Sequence, residues 1–207
     1  MFTFLACKQE IKKVNINNKN HKIEIVTPKG SERPEIFIGN ENFKNAKAND
    51  LTIEGVNFIK NGEYLNAERK FIEALKLEHD NPTILNNLGN LSKDFGDTLK
   101  AIDYYNKSII FSDSTYFNSL YNLGLTYCNM DRYKESEKIL TYILENYKNE
   151  NYLSATNYVL ANVFIGLKDC SKAQEAVAQA ELLYTNEPKM LENLNRLKKK
   201  VKECTTD

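Results

Sequence analysis

Few residues in this 207-residue chain have a type and spacing suited to chemistry. The only histidines are His21 and His79, and neither has a nucleophile or carboxylate at the spacing of a catalytic motif. Lysine plus arginine and aspartate plus glutamate each number 28, and the carboxylates alternate with lysines, as on solvated helix faces. No Gly-rich phosphate loop, H-E-x-x-H or G-x-S-x-G occurs. The four cysteines, Cys7, Cys128, Cys170 and Cys204, contain no C-x-x-C pair, so neither a metal nor a cofactor is expected. The chain therefore reads as a non-enzyme. Zero net charge lacks the basic footprint of a nucleic-acid binder. No apolar run approaches the ~18–20 residues that span a bilayer.

The elements that would position a binding site follow from a repeat. Gly55, Gly89, Gly124 and Ala161 are separated by 34, 35 and 37 residues. Twelve residues after each stands another small residue: Ala67, Ala101, Ser136 and Ala173. Sixteen after stands a bulky one: Phe71, Tyr105, Leu140 and Val177. A period of this length marks stacked helical hairpins, in which small residues let two helices cross and bulky ones fill the adjoining groove. One hairpin cannot bury its own apolar faces, so stacking supplies the core. The pattern predicts helices at 50–60, 64–78, 83–94, 98–111, 116–129, 132–147, 151–166 and 170–184. Asp50, Asn81, Asp97, Asp113 or Ser114, Asp131 and Asp169 are the candidate caps.

Leu85-x-x-Leu88-Gly89, Gly96, Ala101 and Tyr105, with their counterparts in the other copies, resemble the tetratricopeptide repeat (TPR) family. Departures are Glu54 in place of Leu, Asn157 in place of a bulky apolar residue, Ile143 in place of a small one, and Asp131 and Lys168 in place of the turn glycine. The resemblance implies an all-α, right-handed superhelical solenoid of four repeats, at 48–81, 82–115, 116–150 and 151–187, closed by a capping helix at 188–207. It also implies a non-catalytic scaffold that holds a protein or peptide in a concave groove lined by the first helix of each pair. The groove positions are then Thr52, Val56, Ile59, Asn86, Asn90, Tyr121, Leu125, Tyr158 and Asn162. Tyr121 and Tyr158 are expected to be open to solvent, and Tyr105 and Tyr127 to pack inside. For Asn90 a plain packing role competes with ligand contact. Family members that clamp a chaperone's C-terminal carboxylate use cations where this chain has Thr52, Val56, Asn86, Asn118 and Asn122. Such a clamp could not offset the carboxylate's desolvation here.

Two readings remain for the flanks. Residues 1–7 end in Leu5-Ala6-Cys7 and look like the tail of a bacterial lipoprotein signal. Lipidation of Cys7 would make the chain a rigid spacer in a cell-envelope assembly, with its sole membrane contact through that anchor. The apolar part is shorter than a complete signal, so a plain N-terminus and a cytoplasmic protein form the alternative. Residues 8–47 are a flexible linker or short strands at 23–26 and 36–38 about Thr27-Pro-Lys-Gly-Ser31.

After Asn186-Glu-Pro188, the residues Met190, Leu191, Leu194, Leu197 and Val201 form one apolar face of a last helix. Arg196 and Lys198, Lys199, Lys200 and Lys202 crowd its end, either at the helix dipole or as a basic patch. Cys170 lies about as far before the preceding turn as Cys204 lies after it. Antiparallel packing would then bring the two together for a disulfide in an oxidising compartment, provided their Cα atoms come within about 7 Å.

Overall fold

The structure is a computed structural model that describes residues 15–18, 21–26, 35–36, 43–182 and 188–204, with side chains described for 43–182 and 191–204. Three short strands come first: β1 (Asn15–Asn18), β2 (His21–Val26) and β3 (Glu35–Ile36). They form an antiparallel sheet in the order β1-β2-β3, with Ile16 opposite Ile23 and Ile25 opposite Ile36. β1 was not among the expected strands, because a run with three asparagines has low strand propensity. Residues 37 and 38 lie outside the described residues.

Among the described residues nine helices follow: α1 (Ala46–Lys60), α2 (Tyr64–Leu77), α3 (Pro82–Asp94), α4 (Thr98–Phe111), α5 (Phe117–Asn129), α6 (Tyr133–Asn146), α7 (Glu150–Gly166), α8 (Cys170–Glu181) and α9 (Pro188–Cys204). The chain divides into two compact units between Asn122 and Leu123, within α5. In the first unit α1 packs on α2, α2 on α3 and α3 on α4. In the second α6 packs on α7, α7 on α8, and α9 on both α7 and α8.

Each crossing pairs a small residue with a large one. A Cβ added to Gly89 would lie 2.5 Å from the Tyr105 ring, and one added to Gly124 would lie 2.7 Å from Leu140. Both bulky partners are fully buried. The last pair obeys the same volume rule with different residues: Ala161 carries a methyl, and buried Val177 is correspondingly smaller than a ring. Ile143, out of pattern in the sequence, is fully buried all the same. Glu54 stays exposed and pairs with Lys70 at 2.6 Å.

The turns inside the hairpins repeat in detail. Gly62, Gly96, Asp131 and Lys168 all adopt left-handed backbone, with φ of 79°, 82°, 59° and 60°. The N–H of the next residue reaches back five positions: Glu63 to Phe58, Asp97 to Ser92, Arg132 to Tyr127 and Asp169 to Phe164, at 2.8–2.9 Å. These bonds close the first helix by satisfying its free carbonyls. Two of the four positions lack glycine, at a cost of roughly 1–2 kcal/mol for a left-handed non-glycine.

Capping follows the sequence in part. Asn81 accepts from the N–H groups of Thr83 and Ile84, Asp97 from Lys100 and Asp169 from Lys172. α1 is capped by Asn45 rather than Asp50, because the helix begins a turn earlier. Asp131 caps nothing: it occupies the left-handed turn position and its carboxylate accepts from the Tyr133 hydroxyl at 2.6 Å. Asp113 and Ser114 are also left-handed turn residues.

A buried carboxylate ties two helix starts together. Glu78, just past α2, accepts from the Asn45 backbone N–H through Oε1 and from Asn81 Nδ2 at 2.8 Å through Oε2. Its two oxygens thereby hold both capping asparagines. Such charge-assisted bonds are the stronger kind.

Two outcomes test this packing. Gly89→Ala should cost about 1–3 kcal/mol in urea unfolding, and Tyr105→Val in the same chain should recover part of it, as the Ala161–Val177 pair does naturally; an unchanged midpoint for the single variant would remove the crossing from the argument. Glu78→Gln presents an NH2 to a donor and should cost about 1–3 kcal/mol; no loss would show that Asn45 and Asn81 cap their helices without it.

Candidate functional site

In the first unit the residues assigned to the groove stand on α1, α3 and the start of α5. Asn86 and Asn90 among them are engaged by neighbouring side chains rather than held open. Asn122 Nδ2 donates to Asn86 Oδ1 at 3.0 Å and to Asn90 Oδ1 at 2.9 Å. The Tyr105 hydroxyl also donates to Asn90 Oδ1, at 2.7 Å. Ser119 Oγ reaches Asn86 Oδ1 at 3.2 Å and Ser108 Oγ at 2.6 Å, and Ser108 donates to the Pro82 carbonyl at 2.8 Å. The result is a polar ladder joining three helices. Asn90, half-buried, has the packing role that competed with ligand contact.

Thr52, Val56, Ile59, Asn86, Tyr121, Leu125, Tyr158 and Asn162 are all buried. The expectation that Tyr121 and Tyr158 are open to solvent is corrected: they are 6% and 4% exposed. Tyr121 stacks on Phe117 with centroids 5.6 Å apart, so two rings share one patch of α5. Tyr158 stands on α7, with Arg196 of α9 near enough to act on its phenol. Tyr105 is fully buried as expected, and burial raises its phenol pKa well above the ordinary value. Tyr127 is half-buried beneath the Arg132 guanidinium, 4.4 Å from the ring centre. On the same inner rows, Lys60 and Asn129 at the C-terminal ends of α1 and α5 are exposed, and Lys93 and Asp94 of α3 are half-buried.

Several inner polar atoms have no hydrogen-bond partner among the described residues: Asn86 Nδ2, Asn87 Nδ2, Tyr158 OH and Asn162 Oδ1. The repeat explains Asn87. One period later its counterpart is Asn122, which meets Asn86 and Asn90. The counterparts of those two acceptors one period earlier are Thr52 and Val56. The Thr52 hydroxyl is committed to the Ala48 carbonyl at 2.7 Å, and valine has nothing to offer. Asn87 and the serines of the ladder were missed in the sequence; the signal was present, because Asn87 and Asn122 share an offset.

In the second unit Asn162 Nδ2 donates to the Tyr158 carbonyl at 3.0 Å, which leaves Oδ1 unpaired. Asn157, out of pattern in the sequence, turns its amide to the Leu153 carbonyl at 2.8 Å. Cys170 and Cys204 are joined by a disulfide, with Cα atoms 5.7 Å apart. Leu194, Leu197 and Val201 bury the inner face of α9, whereas Leu191, expected on that face, is 44% exposed at its edge. Met190's side chain and Cys7, the lipidation candidate, lie outside the described residues.

These groups tie helices together. They also generate a pH response. Burial pushes the Tyr158 phenol up to about 12. The unfolded phenol loses its proton first, near 10, so this contribution is intact below pH ~10 and declines as pH rises toward 12. Tyr158→Phe should flatten that alkaline decline. At neutral pH it should leave stability equal or higher, because it removes a buried hydroxyl without a partner. A loss above ~1 kcal/mol at pH 7 would mean that the hydroxyl is satisfied.

A family model described as tetratricopeptide repeat matches residues 82–109. The chain is 30% identical over 130 residues to the photosystem I assembly protein Ycf3 of Rippkaea orientalis, covering 56% of this chain and 75% of that one. Among solved structures, MamA from residue 41 onward of Desulfovibrio magneticus superposes with a TM-score of 0.61 at 20% identity, covering 79% of this chain and 92% of that one. A tetratricopeptide repeat protein of Parabacteroides merdae superposes with a TM-score of 0.62 at 15% identity, covering 78% and 61%.

Proposed function

The chain belongs to the tetratricopeptide-repeat family, and from that premise we propose that it is a non-catalytic scaffold that holds a protein or peptide on its first helices. The observation that carries this reading is the ladder of Asn86, Asn90 and Asn122, which holds α3 and α5 rigidly while Lys60 remains exposed and Lys93 half-exposed at the inner ends of α1 and α3. A prearranged surface loses less entropy on binding than one that must order first. The similarity to an assembly protein supports a role in bringing other proteins together. The contact surface proposed here is the helix ends about Lys60, Lys93 and Asp94, rather than the buried middle of the stripe.

A second reading, the envelope spacer, has one observation in its favour. A disulfide between Cys170 and Cys204 persists in an oxidising compartment. On that reading Cys7 carries lipid, and the mass of the N-terminal peptide from the source cells decides it.

The scaffold is tested by photo-crosslinking in the source cells. A crosslinker at Lys60 or Lys93 should trap one discrete protein species, and a crosslinker at exposed Asn106 of α4 should not. Equal trapping from all three positions, or none from Lys60 and Lys93, would overturn the surface assignment.

A further inference from the structure

We propose that α9 is a redox-controlled strap, held across α7 and α8 by the Cys170–Cys204 disulfide and released by a dithiol reductant. Three observations converge. The disulfide joins the first residue of α8 to the last residue of α9. It therefore lies at the end of the helix pair farthest from its connection, closing a loop across 34 residues. Opening it removes the covalent tie at the last residue of α9.

The described apolar contact of α9 is a narrow stripe. Among its described side chains only Leu194, Leu197 and Val201 are buried, and Leu191 stands at the edge. The packing of α9 on α8 is also incomplete. A cleft of about 380 Å³ lies between them, lined by Val177, Ala178 and Val201 with Gln174, Glu181, Lys198 and Lys202. A Lys198–Glu181 ion pair spans it. The pair is partly exposed, so its contribution is small.

The bond is also within reach. Cys170 and Cys204 both retain partial solvent exposure, so a thiolate can approach one of the sulfurs. The exchange balances. One thiolate of the dithiol attacks a sulfur and expels the other cysteine, forming a mixed disulfide; the second donor thiol then attacks the donor sulfur of that bond and expels the remaining cysteine. The donor leaves as a disulfide, and Cys170 and Cys204 each gain one electron and one proton as thiols. Release opens the face of α8 that lines the cleft, with Gln174, Val177, Ala178 and Glu181.

The test is hydrogen–deuterium exchange on the full chain, with oxidised protein compared before and after dithiothreitol. Removing a cross-link over this span should accelerate exchange in residues 191–204 by on the order of a hundred- to a thousand-fold. Protection in α1 to α4 should persist. Cys170→Ser should reproduce the reduced pattern in 191–204, and Cys204→Ser, which removes the same bond, is the second variant should the first fail to fold; dithiothreitol also reaches the Cys128 disulfide, so the variants assign the change to this bond. Unchanged exchange in 191–204 would overturn the strap. So would loss of protection across the whole chain, which would make the bond a general staple, or free thiols at both positions after oxidation with glutathione disulfide.

Discussion

The structure depends on the close approach of two helices where one offers no side chain. At Gly55, Gly89 and Gly124 the partner side chain occupies the space a Cβ would need. That contact sets the distance between the helices, and the distance sets which neighbouring residues can interlock. The fourth hairpin keeps the sum by exchanging the terms, Ala161 for glycine and Val177 for a ring or leucine. What recurs is a small residue with a larger buried one sixteen positions on, because interiors are packed near the density of crystals and tolerate neither void nor overlap. The turn beyond each crossing must then be tight, and every one closes with a left-handed residue even where aspartate or lysine must supply it.

Between hairpins of the first unit the bond changes character. Apolar contact is supplemented by amides and hydroxyls that run from Pro82 through Ser108 and Ser119 to Asn86, Asn122, Asn90 and Tyr105. Directional bonds specify register in a way that aliphatic contact does not. They also commit the asparagines that a surface reading would assign to a ligand. The ladder has loose ends, at Asn86 Nδ2 and Asn87 Nδ2, where the repeat supplies a donor without an acceptor.

Hairpin arrays must also close their ends. At the N-terminal side the Glu78 carboxylate gathers the caps of α1 and α3. At the C-terminal side a helix with only a narrow apolar face is joined to α8 by a covalent bond. The two solutions differ in reversibility: a buried carboxylate pair of bonds responds to local unfolding, whereas a disulfide responds to electron donors.

The sequence by itself determined the hairpins, because the offsets of Gly89, Ala101 and Tyr105 repeat and helix crossings allow few residue types at those places. It located the turns at Asp131 and Lys168 although neither is glycine, since their phase was set by neighbours. Antiparallel counting also placed Cys170 near Cys204. Other features were decided only in three dimensions. Helical periodicity tells which side of its own helix Tyr121 or Tyr158 occupies, but not what lies against that side. Arg196 near Tyr158 comes from another helix altogether. The bonds of Asn122 to Asn86 and Asn90, 36 and 32 residues away, likewise arise only once hairpins stack. The start of α1 at Asn45 rests in part on Glu78, 33 residues on. Spacing within a helix is a local quantity that sequence carries directly. Burial is a property of the neighbours, and those are chosen when the hairpins pack.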